Sequence, residues 1–227
     1  MTQAIPSVRA APLSSSRAAR HLRLAGLGLC VFLATQLFQA LCFFFWLPEA
    51  QTAAADLTLR LGWLDRTRAL AVLAGILALT VTYAVVALDR FARAPLASGL
   101  GLVFALFFIV LELAHRGIDF ALVSQQWASA FAAAAGPAEQ ALLLERHALW
   151  SEVTGALYLP LMLSGLLAWS CFAVATWRGA GRWAPLAPLA FSLNALRTLG
   201  RLLGSYTDVP GMGAFNSLPV YVVLVFL

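Results

Sequence analysis

Lysine is missing altogether: all 15 basic side chains among the 227 residues are arginine. Without a lysine amine no Schiff base to retinal or another carbonyl cofactor can form, which removes that class of membrane protein. Charge of either sign is scarce, at 11% of residues, against about 25% in ordinary soluble domains. Cysteine is equally sparse. Cys30, Cys42 and Cys171 each fall in an apolar run and form no CxxC pair, so they read as small packing residues rather than a disulfide or redox pair. There is no HExxH, no P-loop, no glycine-rich dinucleotide turn and no nucleophile elbow. The metalloprotease, nucleotide-driven and serine-hydrolase classes therefore have nothing to stand on.

What the chain has in abundance is apolar surface, 62% hydrophobic residues with a mean hydropathy of +0.85. Six apolar runs account for it: Leu24–Leu47, Ala69–Leu88, Leu96–Leu122, Val153–Trp177, Ala184–Tyr206 and Phe215–Leu227. The first five are long enough to cross a hydrocarbon layer of about 30 Å, and the sixth is short. Either it begins earlier, through Pro210 and Gly213, or its helix continues past the end of this sequence. The first run follows Arg9, Arg17, Arg20 and Arg23 but ends in Phe43, Phe44, Phe45 and Trp46. Its length and aromatic end suit an uncleaved span, not a signal peptide. The expectation is an all-α polytopic transmembrane helical bundle, with residues 1–23 a cytoplasmic basic tail and residues 24–227 one membrane domain.

Charge distribution orients the bundle. With the N-terminus inside, the inner segments hold Arg9, Arg17, Arg20, Arg23, Arg90, Arg93, Arg178 and Arg182 against Asp89 alone. The outer segments hold Arg60, Arg66, Arg68, Arg116 and Arg146 against Glu49, Asp56, Asp65, Asp119, Glu139, Glu145 and Glu152. That bias predicts a cytoplasmic N-terminus. Trp46, Trp63, Trp127 and Trp150 would then mark the outer interface, and Trp177 and Trp183 the inner one. Clustered arginine beside apolar runs reads as topology signal and anionic-lipid contact, so the expected partner is the bilayer, not nucleic acid.

The longest connection, about 123–152, is broken at Gly136-Pro137, after which Leu142, Leu143, Arg146, Leu149 and Trp150 recur at helical spacing. This predicts an interfacial helix around 138–150 lying on the outer surface. Small residues at Ala97, Gly101 and Ala105, and at Gly200 and Gly204, mark helix faces able to approach closely. Such faces also allow a homo-oligomer or another membrane partner.

Chemistry, if any, concentrates at one depth. Glu112, His115, Arg116 and Asp119 fall at i, i+3, i+4 and i+7, on one face near the outer end of the third span. Asn194, Arg197 and Arg201 share a face of the fifth span, and Glu152 opens the fourth at a similar level. Ionisable groups inside a bundle must pair, so Glu112 is expected to meet Arg197 or Arg201. Two readings stay open: a salt-bridged plug that fixes helix order, or a solute or proton site opening outward. Glu112-x-x-His115 also has the spacing of helical metal sites, with His147 as a further weak ligand for metal or haem. It lacks a second such pair, and no cofactor is expected.

The layout as a whole consists of a first span, an outer loop, a second span and a tight basic turn at Asp89–Arg93. A long third span, an outer helix near Ala138–Leu149, a fourth span, a basic turn at Arg178–Arg182 and a fifth span follow. It resembles a family of uncharacterised bacterial six-span membrane proteins, a domain of unknown function. The resemblance covers Gly26 to the C-terminus and rests on layout. It implies a helical bundle in the bacterial inner membrane and carries over no catalytic residue. The leading functional expectation is a non-enzymatic structural, accessory or sensor component. Behind it stand a small-solute or proton-linked transporter and then a metal- or haem-binding membrane enzyme.

Overall fold

A computed structural model describes residues 15–177, 185–207 and 209–211. Among these residues the chain forms helices and no strand. Helix α1 (Ser15–Leu41) runs on into a π-helical stretch, Cys42–Trp46. A short helix α2 (Ala53–Leu59) follows, its N-terminus capped by Thr52, whose hydroxyl accepts from the Ala55 amide at 3.2 Å. Helix α3 spans Trp63–Phe91. The basic turn then gives way to α4 (Pro95–Ile118), with proline in the first turn where its missing N–H costs nothing. A second π-helical stretch, Asp119–Trp127, carries α4 into α5 (Ala128–Ala133). Gly136, extended, and Pro137 start α6 (Pro137–Thr176), and α7 covers Leu186–Tyr206.

Among the described residues, four helical segments are long and apolar enough to cross a membrane: Ala19–Trp46, Trp63–Phe91, Pro95–Ala133 and Pro137–Thr176. In an apolar 18-residue stretch of each, between 22% and 39% of the residues are buried inside the molecule. Leu27, Leu77, Phe107, Val110 and Val174 are among the exposed apolar side chains of these helices, surface of the kind a bilayer covers. This marks a membrane protein. Of the six spans expected, the fifth appears as α7, a helix that is not among these four. The sixth, Phe215–Leu227, and the basic turn at Arg178–Arg182 lie outside the described residues.

Long helices pack in chain order, α1 on α3, α3 on α4, α4 on α6 and α6 on α7. Close approach comes from small residues. A Cβ on Gly28 would lie 2.6 Å from the carbonyl oxygen of Ala78, and one on Gly75 would run into the Thr35 hydroxyl. Gly101, 3.1 Å from the Phe172 ring by the same measure, and Ala105, 1% exposed, seat α4 on α6. The expected stripe on the third span is thus an intramolecular packing face. At the centre the Trp169 indole donates to the Tyr83 hydroxyl at 2.7 Å, and Tyr83 stacks on Phe172 with centroids 5.5 Å apart.

One expectation needs correction. The interfacial helix around 138–150 is not separate: α6 is a single helix of 40 residues that runs from the loop tip through the fourth span. No proline lies between Pro137 and Pro160, and Gly155 alone does not stop a helix. At about 1.5 Å per residue, α6 is about 60 Å long, roughly twice the hydrocarbon thickness. Its first half stands beside the π-helical stretch and α5 as a hairpin, roofed by α2. Leu57, Val123 and Ala128 are completely buried there, flanked by Leu61, Trp127, Phe131, Leu144 and Trp150. Trp127 and Trp150 therefore pack in this small second core, whereas Trp46, Trp63 and Trp177 are exposed.

Candidate functional site

Where α2, the end of α4 and the first half of α6 meet, they enclose a polar cleft of about 260 Å³. Its walls are Asp56 and Arg60 from α2, His115, Arg116 and Asp119 from α4 and its π-helical continuation, and His147, Trp150, Ser151 and Thr154 from α6. Helical spacing explains the selection. Residues 115, 116 and 119 share one face, as do 147, 150, 151 and 154.

A continuous chain of polar bonds ties the walls together. Asp56 Oδ2 accepts from Arg60 Nε at 2.7 Å and lies 2.9 Å from His147 Nε2. Arg60 reaches across with Nη1 to Asp119 Oδ2 at 2.6 Å, while Asp119 Oδ1 accepts from the Trp150 indole at 3.1 Å. Arg60 thus holds both the carboxylate four residues before it and that of Asp119, 59 residues after it in sequence, and Asp119 in turn anchors α6. Burial alone would lower the pKa of the Arg60 guanidinium. Asp119 and Asp56 more than reverse that, and it ends above its ordinary value. Arg66 supports the cleft from behind, donating from Nη2 to the Ser124 carbonyl at 3.2 Å in the π-helical stretch.

Of the residues singled out in sequence, His115, Arg116, Asp119 and His147 come together here. Glu112 sits directly behind them: its Oε1 accepts from Arg116 Nε at 3.0 Å, and its Oε2 is 4.0 Å from His115 Nδ1. The cross-helix bridge expected from Glu112 to Arg197 or Arg201 gives way to this intrahelical pairing, made by the i,i+4 neighbour that needs no second helix. Arg197 is buried, 7% exposed, beside Tyr83 and Tyr158, and the Arg201 guanidinium lies over the Tyr158 ring at 5.3 Å. Asn194 donates to the Ala190 carbonyl of its own helix at 3.1 Å, and Glu152 is exposed outside the cleft walls.

Sequence reasoning missed Asp56 and Arg60 as site residues, as well as Ser151 and Thr154. An acid and an arginine four apart on a short helix is the one local signal that could have flagged α2. As for metal, among the described residues no three His, Cys, Asp or Glu side chains gather as a ligand set. The weak candidates Glu112, His115 and His147 are separately engaged, with His147 against Asp56 and Glu112 against Arg116.

His115 and Thr154 line both the cleft and a hollow of about 10 Å³ bounded by Leu111, Leu157, Tyr158 and Leu161. A water needs at least about 10–15 Å³, so the hollow is at or below the size of one molecule. Compared with known proteins, the chain matches no family model, no curated protein and no solved structure.

Proposed function

We propose that the protein is a six-span bacterial inner-membrane protein, N-terminus in the cytoplasm, that performs no chemistry of its own. It acts as an accessory or sensor component, holding a small polar solute in the cleft at its outer end. The observation that carries this reading is a polar cavity cross-braced by three chain segments, with only a hollow of about 10 Å³ beside it. A braced pocket suits binding; conduction needs a path onward. The arginine bias toward the N-terminal side supports the orientation. The helical α7 and the apolar run beyond it support six spans.

The experiment is a thermal-stability screen of the purified full chain in mild detergent against small anions, amines and neutral polyols. One class should raise the apparent Tm, and His147→Ala should abolish the shift. If no class does so, the cleft is a structural brace and the binding reading fails.

A second reading, proton-linked transport, draws on His115 and Thr154 lining both the cleft and the inner hollow. Sealed liposomes distinguish the two. Entrapped solute flux that disappears in His115→Ala would favour transport, whereas binding without flux favours the sensor or accessory role.

A further inference from the structure

Taking the cleft as a solute site, we infer that its ligand is a small amino acid, bound as a zwitterion with its ammonium at Asp56 and its carboxylate at Arg116. The open acid is Asp56. Arg60 Nε and His147 Nε2 both meet it at Oδ2, which leaves Oδ1 without a partner among the described residues, on a side chain 30% exposed at the cleft wall. Asp119, by contrast, is met at both oxygens, Oδ2 by Arg60 and Oδ1 by Trp150. The hydroxyls of Ser151 and Thr154 donate to the carbonyls of His147 and Ser151 at 3.0 and 2.9 Å, so toward a ligand they act as acceptors. All of these suit an ammonium, which only donates.

The open donor is Arg116. Among the described residues it bonds through Nε alone, to Glu112, which leaves both terminal nitrogens of a side chain that is 41% exposed on the cleft wall. Such a planar fork meets a carboxylate with two parallel bonds. Arg60 keeps only Nη2, on a side chain 19% exposed whose charge two acids already share. The two open groups border one space: Arg60 joins Asp56 to Asp119, and Arg116 stands one turn before Asp119 on the same face. At about 260 Å³ the cleft falls below the roughly 300–1,000 Å³ of pockets that take drug-sized molecules, so it suits an amino acid with a short side chain.

Formal charge favours a ligand that is neutral overall. With histidine counted as neutral, the cleft walls carry Arg60 and Arg116 against Asp56 and Asp119, and the signs cancel. One layer back, Glu112 accepts from Arg116, and Arg66 donates to the Arg60 and Ser124 carbonyls at 3.3 and 3.2 Å, so that layer cancels as well. Glu145, Arg146 and Glu152 are exposed outside the walls, where water and salt screen them. A lone anion or cation would leave one charge unmatched beside apolar helices, which is costly, whereas a zwitterion leaves none. A polyol is neutral too, but it offers hydroxyls where a zwitterion sets an opposite charge against both Asp56 and Arg116.

Calorimetric titration of the full chain in mild detergent, at about pH 7.5 where ammonium and carboxylate are both charged, tests this. The probes are L-alanine, its two halves and glycerol; propionate lacks the ammonium and ethylammonium lacks the carboxylate. Alanine should bind about tenfold or more tightly than either half, since each half forgoes one charge-assisted contact. Asp56→Asn should erase the advantage of alanine over propionate while propionate still binds. Arg116→Gln should erase its advantage over ethylammonium while ethylammonium still binds, and neither selective loss can be mimicked by a misfolded variant. If alanine binds no better than propionate or ethylammonium, or if glycerol alone binds, the proposal is overturned while the cleft stays a solute site. Alanine binding unchanged in both variants overturns it as well. Silence from all four probes overturns it too, and a blank in the broader stability screen, whose amines include amino acids, would then remove the solute reading itself.

Discussion

Arg60 shows how much one side chain can organise when it stands between two acids. Its fork joins Asp56 on its own helix to Asp119 on the π-helical stretch, with distances of 2.7 and 2.6 Å and only 19% of the side chain exposed. Arg60→Ala would leave both acids without their arginine, and a loss of about 2 kcal/mol is expected from unfolding titrations in mixed micelles. Arg60→Lys should recover part of this, since a single ammonium cannot serve both carboxylates with fork geometry. In the other core, Trp169→Phe removes the donor to Tyr83 and should cost about 1 kcal/mol in the same titration. The sequence displayed Glu112, His115, Arg116 and Asp119 because spacing on one helix is written locally. Arg60 with Asp119 was invisible because nothing along a chain records which residue 59 positions away will face it. The bridge from Glu112 to α7 failed for a related reason: a requirement that a charge be paired does not say by which neighbour, and Arg116 was nearest.

At the level of elements, the first five apolar runs were legible as helices, and Gly136-Pro137 marked a true helix start, since both follow from hydropathy and backbone chemistry. The run of α6 through the supposed interface was less legible. The amphipathic recurrence of Leu142, Leu143, Arg146, Leu149 and Trp150 suggested a surface piece, yet lying at a surface is no reason for a helix to end. The π-helical stretch at Asp119–Trp127 left no signature either. It is held by contacts from elsewhere, from Arg60 and Trp150 on Asp119 and from Arg66 on the Ser124 carbonyl. The pairing of α1 with α3 depends on glycine at the point of nearest approach. Gly28→Leu would drive a side chain against the Ala78 carbonyl, which has no room to retreat within a helix. A loss of about 1–3 kcal/mol is expected in the unfolding titration, while the exposed Gly26, with open space beside its Cβ position, should accept alanine without measurable loss.

For the molecule as a whole, the proposed topology puts the hairpin made by α5 and the first half of α6 beyond the lipid. With the N-terminus inside, its tip at Ala134, Ala135 and Gly136 should be cut by protease added to right-side-out vesicles and protected in inverted ones. The reverse pattern would invert the topology. On the proposed topology, α6 is a rod with its two ends in different compartments. His147, Trp150 and Thr154 sit on one arm and Thr176 terminates the other, with Pro160 between them as the single proline inside the helix. About 16 residues separate Pro160 from Thr176, a lever arm of about 24 Å, so a tilt of about 5° at the cleft becomes about 2 Å of travel at the far face. If the sensor reading proposed above holds, such a rod would serve as a mechanical readout that needs no pore: an event on one side of the membrane would become a displaced helix end on the other.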